Sequence, residues 1–406
     1  MAKNKRGQGE GSIRERFKVD KKTGKKVSIG WEARYTVGVG SNGKQVRKSI
    51  YGKTSDEVKK ALRKVLTDLD NGTYIEPTKT TVSTWLDTWF NTYKKPSVKA
   101  KTLECYDNII RNHIKPKIGP VALKDLRADK VQALYNEVAS KFSPRMAELT
   151  HVTLHAALEQ AVKNDLIIKN VTKATTLPKK VKKEPRVLTQ DEQNKFMEAI
   201  KGDRLEAAFI LDLFTGLRRG ELLGLKWTDI DFKNKAIKIR QTLCRVKNFD
   251  DDAEKKTKLV FDTPKTEKGK RVIPLLDEVV AALKAHKSRQ GAEKLKAGGL
   301  TKDGGLYEDN GLVFCTQIGT PLDPRKFTDV FHEIVEKAGI GETNLHALRH
   351  TFATRGLENG IELKVMQELM GHSSITLTGD IYSHVLQDKK REAINKLQGL
   401  FKATNS

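Results

Sequence analysis

Cysteine is scarce in this chain, and so are acidic residues and long apolar runs. The three cysteines, Cys105, Cys244 and Cys315, stand far apart with no CxxC pair. That pattern excludes a disulfide framework and a cysteine-based zinc module, and it suits a reducing compartment. No stretch of about 18 apolar residues occurs, so no membrane-spanning helix is expected. The opening "MAKNKRGQGEG" is basic and has no apolar core, so it does not read as a secretory signal. Aspartate and glutamate number 51 against 76 lysines and arginines, a net charge of +25 over 406 residues. A folded protein this basic points to a polyanionic partner, because Lys and Arg displace counterions from phosphates. Charge alone does not choose among ribosomal, membrane-surface and DNA-binding proteins. The excess is also uneven, since residues 1–75 hold 19 Lys and Arg against 8 Asp and Glu.

What is present falls into segments. Trp31, Ala33, Tyr35, Val37 and Val39 alternate with polar or small residues, "SNGK" supplies a turn at Asn42-Gly43, and "QVRKSIY" returns as a strand. "SIRERF" supplies a third strand. Thr54 then caps a helix with Glu57 at its third position, and Val58, Leu62, Val65 and Leu69 form the apolar stripe that Gly72 ends. Residues 80 to about 175 carry helical spacing. "TVSTWLDTWFNTY" sets Val82, Trp85, Leu86, Trp89 and Phe90 on one stripe, with the aromatics expected in the core. "KTLECYDNIIRNHI" is expected to stop at Pro116 and Gly119, and two further helices complete a four-helix module. "TTLPKKVKKEPRVLT" reads as a basic linker. From Thr189, where "TQDE" is a second capping box, α and β signals mix. "AIKIRQTL", "RVIPL" and "GLVF" read as strands, with a polar stretch from Arg245 to Lys258 between the first two. From Pro324 onward the pattern is helical again.

"NLHALRHTFA" places His346 and Arg349 three residues apart, on one face if the stretch is helical. A guanidinium keeps its proton and an imidazole can exchange one, so the pair suits binding and reacting with an anion. Three other pieces accompany it. "TGLRRGELLGLKWTDID" holds Arg218 and Glu221, "TPKTEKGKRVIPL" holds Lys265 in an expected β-hairpin, and "LMGHSSITLTGDIYSHV" holds His372 and Tyr382.

Arg218, Lys265, His346, Arg349, His372 and Tyr382, in that order, resemble the active-site series of the tyrosine recombinases, the phage-integrase family. The likeness is greatest to integrases of conjugative transposons and temperate phages. The resemblance implies a multidomain fold. It consists of a small β-sheet plus helix arm-binding domain (1–75), an all-α, SAM-like core-binding domain (79–177), a basic linker (178–187) and a mixed α/β, mainly α, catalytic domain (188–406). It implies a site-specific recombinase that integrates and excises a mobile element through a 3′-phosphotyrosine and a four-way junction.

In that chemistry Tyr382 is the nucleophile, and Arg218 and Arg349 hold the nonbridging oxygens, whose charge grows toward the transition state. Lys265 is the general acid for the departing 5′ oxygen. His346 handles the phenolic proton or supports the phosphate, and His372 hydrogen-bonds a nonbridging oxygen. Glu221 is expected to orient Arg218, while His350 and His384 are read as structural. Arg34, Lys44, Arg47 and Lys48 are the candidate DNA contacts of the arm module.

The implied partners are double-stranded DNA at core and arm sites and further copies of the chain in a tetramer on DNA. An excisionase and a DNA-bending protein are the accessory candidates, and no membrane is involved. No cofactor or metal is expected, because arginines beside the histidines would repel a cation. Asp203, Asp212, Asp229 and Asp231 form no recognisable metal-nuclease arrangement. The expected setting is a bacterial cytoplasm, on the nucleoid. A type IB-like topoisomerase and a catalytically inactive DNA-binding regulator are the alternatives.

Overall fold

The computed structural model describes residues 11–21, 24–39, 43–72, 74, 79–179, 185–250, 253–264, 269–297, 307–372, 374–375, 379 and 394. Lys265, Tyr382 and His384 lie outside them, as does Asn42 of the expected turn. The chain forms two compact units, one from residues up to 180 without 99–104, the other from 181 onward with 99–104.

The first unit opens with β1 (Ser12–Val19), β2 (Lys26–Val39) and β3 (Gln45–Gly52), an antiparallel sheet in that order. Period-two alternation puts Ala33 and Tyr35 on one face, where they bury against Val58 and Leu62 of α1 (Ser55–Asp70). Val39 is the exception to the expected stripe, at 69% exposed. The ladder shifts register between Thr36 and Gly38, which ends the clean alternation before that residue. Thr54 caps α1 by accepting from the Glu57 amide.

The helical part of this unit comprises α2 (Val82–Thr88), residues 105–109 of α3 (Ala100–Ile109), α4 (Lys115–Ile118), α5 (Ala128–Lys141) and α6 (Pro144–Lys163). Trp85 and Trp89 are core residues, and Trp85 Nε1 donates to the Ala157 carbonyl at 2.9 Å. Pro116 does not stop its helix. A π-helical turn, Ile110–Ile114, precedes it, and α4 begins at Lys115 with the proline in its first turn. The π turn has already left the i→i−4 ladder, so the missing N–H of Pro116 is accommodated and the helix runs on to Ile118, before Gly119.

The second unit contains α7 (Gln190–Ala199), α8 (Glu206–Thr215) and α9 (Arg219–Leu223), then β4 (Ile230–Asp231), β5 (Ala236–Ile239), β6 (Thr242–Lys247), β7 (Thr257–Asp262) and β8 (Arg271–Pro274). It continues with α10 (Asp277–Lys296), α11 (Pro324–Lys337), α12 (His346–Glu358) and α13 (Leu363–Met370). Its apolar core centres on α8, where Ala208, Phe209 and Leu211 are fully buried. The "TQDE" box is complete, because Thr189 accepts from the Glu192 amide while Glu192 accepts from the Thr189 amide.

Two strand expectations need correction. "AIKIRQTL" is not one strand: β5 pairs with β4 and β8, and β6 pairs with β7 in a separate hairpin that takes in part of the expected polar stretch. Both segments, "TLCRVK" and "TKLVFD", are half-buried and carry β-branched and aromatic residues such as Val246, Thr257, Val260 and Phe261, which suit strand pairing despite the charges. Lys265, expected in a β-hairpin, lies outside the described residues. Residues 263–270 link β7 to β8, which belong to different sheets. "GLVF" contributes an isolated bridge at Leu312 rather than a strand, and Cys315 just after it makes another.

Candidate active site

The "TGLR" motif is a helix stop followed at once by a helix start. Gly216 ends α8 with φ +59°, and a Cβ there would stand 2.6 Å from Phe352 Cδ1. A left-handed residue without a side chain is therefore required. The chain turns so that Arg218 sits just before α9. Glu221, 2% exposed, accepts from the Arg218 amide at 3.1 Å and from its Nη1 at 2.7 Å. Arg271 approaches the same carboxylate from β8, with Nη2 2.9 Å from Oε2 and Nη1 3.3 Å from Oε1. Burial pushes the Glu221 carboxyl up, but the hydrogen bond and charge of Arg271, with the charge of Arg218, outweigh it and hold it below its ordinary value.

Three arginines meet the end of α13. Arg271 Nε donates to the Leu369 carbonyl at 2.7 Å, Arg349 Nη2 to Met370 at 2.5 Å, and Arg218 Nη2 to Gly371 at 3.0 Å. These are last-turn carbonyls with no partner inside the helix, at the negative end of its dipole, so cations suit them. Gly371, at φ +61°, closes the helix, and His372 follows. Arg349 is only 1% exposed and also donates to the Gly216 carbonyl, which ties α12 to both glycine-capped helix ends. Asp212 is buried near it. Burial raises that carboxyl well above its usual range against the opposing charge of Arg349, and Oδ1 has no hydrogen-bond partner among the described residues.

His346, at the start of α12, is held down at about 4 by burial and by the charges of Arg349 and Arg218. His372 is held at about 3 by burial and then by Arg349, Arg218, Arg271 and His346. Both rings are therefore neutral near pH 7, able to accept a proton at one nitrogen and donate from the other. His350 packs edge-on against His346, with ring centroids 4.6 Å apart. Arg218, Glu221, His346, Gly371 and His372 line one cleft with β6.

The structure thus brings Arg218, His346, Arg349 and His372 together, while Lys265 and Tyr382 lie outside the described residues. Arg271 was not singled out in the sequence. It opens the expected strand "RVIPL" just after Lys268, Gly269 and Lys270 and reads there as one more basic residue of a charged stretch.

The arm-module candidates divide between faces. Arg34 and Arg47 stand opposite Ser49 and Thr36 on the sheet face away from α1. Lys48 pairs across from Tyr35 on the helix side, and Lys44 precedes β3. The open face also carries residues not singled out earlier. Glu32, 2% exposed, accepts from Arg14 Nε at 2.7 Å, Arg34 Nε at 3.0 Å and Ser49 Oγ at 2.7 Å. Hydrogen bonds from Ser49, Arg34 and Arg14 hold its carboxyl down at about 2. Arg16 stacks over Tyr51, 4.7 Å from the ring centroid.

Comparison with known proteins matches residues 186–389 to the phage integrase family and residues 81–139 to the phage integrase N-terminal SAM-like domain. The chain belongs to the phage integrase family. It is 33% identical over 374 residues to the tyrosine recombinase XerC-like protein of Caldanaerobacter subterraneus subsp. tengcongensis, covering 90% of this chain and 95% of that one. It is 27% identical to the integrase of Staphylococcus phage L54a, covering 83% of this chain and 98% of the relative. Among solved structures, the Tn1549 transposon integrase in complex with a circular intermediate DNA has a TM-score of 0.63 at 26% identity. That likeness covers 78% of this chain and 99% of the other. The lambda integrase tetramer bound to a Holliday junction, at 21% identity and a TM-score of 0.54, shares the fold. The protein is an enzyme, a tyrosine-type site-specific DNA recombinase. Among the described residues no helix is long and apolar enough to cross a membrane.

Proposed function

We infer that this recombinase integrates and excises a mobile element, cutting DNA with Tyr382 and holding the broken strand as a 3′-phosphotyrosine. The reading rests on one observation above all. Arg218, His346, Arg349 and His372, drawn from three distant segments, converge at the end of α13. Arg218 donates to protein acceptors through two of its five N–H groups among the described residues, and its side chain is 42% exposed. The remaining donors suit a phosphate whose charge grows during transfer, and a preorganised donor of this kind contributes roughly 3–4 kcal/mol. Neutral His346 takes the phenolic proton, neutral His372 donates to a nonbridging oxygen, and Lys265 protonates the leaving 5′ oxygen. Storing the bond on tyrosine leaves the ligation step with no need for an external energy source.

In this reading residues 1–75 bind arm sites, 79–177 bind the core site, 178–187 link them to the catalytic domain 188–406, and four copies act together on a four-way junction. An excisionase and a DNA-bending protein set direction, in a bacterial cytoplasm on the nucleoid.

The test is a nicked duplex bearing the sequence at the element's own boundary. Cleavage next to the nick releases a short fragment that diffuses away and traps the covalent complex. A protease-sensitive adduct on a denaturing gel, confined to that sequence, is expected. An adduct on any duplex supports the topoisomerase reading, and sequence-specific binding without an adduct supports an inactive regulator.

A further inference from the structure

Arg271 makes four hydrogen bonds to protein acceptors: to both Glu221 oxygens, to the Leu369 carbonyl at 2.7 Å and to the Gly269 carbonyl at 3.2 Å. Its side chain is 7% exposed, against 42% for Arg218. A guanidinium has five N–H donors in a fixed plane. Arg271 therefore has little left for a phosphate, and what it holds is other parts of the site. One edge of its plane grips the carboxylate that orients Arg218. The Nε edge grips the last turn of α13, two residues before Gly371 and three before His372. Its Nη1 also holds the carbonyl of Gly269, four residues after Lys265.

We propose that Arg271 is a positioning residue for DNA cleavage: it locks Glu221, and through Glu221 the Arg218 guanidinium, to the helix end that carries His372. This rests on the reading of Arg218 as a phosphate clamp. Arg271 touches neither substrate nor reacting atoms. Glu221 needs it because a buried carboxylate facing one guanidinium is left with unfilled lone pairs and a tendency to take up a proton. The groups facing Glu221 are the charged Arg218 before α9 and Arg271 on β8, and the titratable Asp212 on α8, whose carboxyl burial raises. With Arg271 gone, burial favours protonated Glu221, which no longer anchors Arg218 as a carboxylate. The plane matters as much as the charge. A lysine at 271 can reach one acceptor at a time, whereas the guanidinium holds three elements at once.

The experiment measures adduct formation on the nicked duplex and binding to the same duplex for Arg271→Met, Arg271→Lys, Glu221→Gln and the double variant Arg271→Met with Glu221→Gln. Arg271→Met is expected to bind DNA within about twofold of the unaltered enzyme and to cleave 10- to 100-fold more slowly, with Arg271→Lys recovering only part of the loss. The double variant is expected to be no more than about threefold slower than Glu221→Gln alone. Between pH 8 and pH 6, Arg271→Met is expected to lose further rate as the pH falls, beyond the change in the unaltered enzyme. Glu221→Gln removes that extra dependence. A solely structural role for Arg271 moves the melting temperature but not this pH profile. Should Arg271→Met fail to fold, Arg271→Lys carries the same pH and double-variant comparisons. Unaltered cleavage by a folded Arg271 variant overturns the proposal, as do effects of Arg271 and Glu221 that multiply. Arg218→Ala serves as the control: if it cleaves normally, the phosphate-clamp reading has failed rather than the role of Arg271.

Discussion

Arg218 Nη2 lies 3.0 Å from the carbonyl of Gly371, the residue that turns the chain from α13 toward His372. The guanidinium proposed to clamp the phosphate is thus fastened to the backbone that positions the imidazole proposed to contact it. A Cβ at Gly371 would stand 2.8 Å from Arg271 Nη1, and the φ of +61° is strained for any side chain. Gly371→Ala is expected to cost about 1–3 kcal/mol of stability and to slow cleavage at least tenfold with DNA binding retained. Urea titration and the nicked-duplex assay check both. Normal cleavage by the alanine variant would show that this helix end tolerates displacement.

The leaving-group proton is tested at Lys265. Lys265→Ala is expected to cleave ordinary DNA very slowly and to recover on a duplex with a 5′-bridging phosphorothiolate, because a thiolate departs unprotonated. Arg218→Ala is expected to recover far less, since sulfur does not replace charge on the nonbridging oxygens. Equal recovery by both variants would assign the proton to another group, with His346 the next candidate.

Acid should destabilise the DNA-free protein. His346, His350 and His372 are held at about 4, 4 and 3 in the folded chain, against 6.5 for a free ring. As the pH falls from 6.5 the unfolded chain binds protons that the folded chain refuses, so stability is present above that value and lost on the way down toward 4. Urea midpoints at pH 7.5 and 5 check the direction. His372→Asn is expected to shrink the difference, and an unchanged difference contradicts the assignment of low proton affinity to this ring.

The histidine and arginine placements were legible in the sequence because each needs a particular residue type within a short motif. Gly216 and Arg218 are one stop-and-start unit, and His346 with Arg349 is one helix turn. Buried Trp85 and Trp89 were likewise readable from their spacing. Arg271 was not, because its acceptors are backbone carbonyls of Leu369 and Gly269 and a carboxylate fifty positions away. Carbonyls have no sequence signature. The β6–β7 hairpin was hidden for a related reason. Its strands are half-buried and charged, so pairing between neighbours, rather than a strong apolar alternation, decides their conformation. Pro116 misled because its effect depends on whether the preceding turn is α or π.

Glu32 gives the arm module a test that separates charge from geometry. Glu32→Gln removes a negative charge from a basic face, so binding to random duplex is expected to strengthen. The same change frees Arg14 and Arg34 from a common anchor, so discrimination of an arm site over random duplex is expected to fall about tenfold, within the range of one bidentate base contact. Competition binding at fixed salt checks it. A uniform change over all sequences would mean that Glu32 tunes charge only.

The central claim is that this site transfers a DNA phosphate to Tyr382. The direct measurement is peptide mass spectrometry of the complex trapped on the nicked duplex, after nuclease and protease digestion. The account predicts a nucleotide remnant on the peptide containing Tyr382, and no adduct from Tyr382→Phe despite normal DNA binding. A remnant on any other residue, or an adduct from the phenylalanine variant, would contradict it.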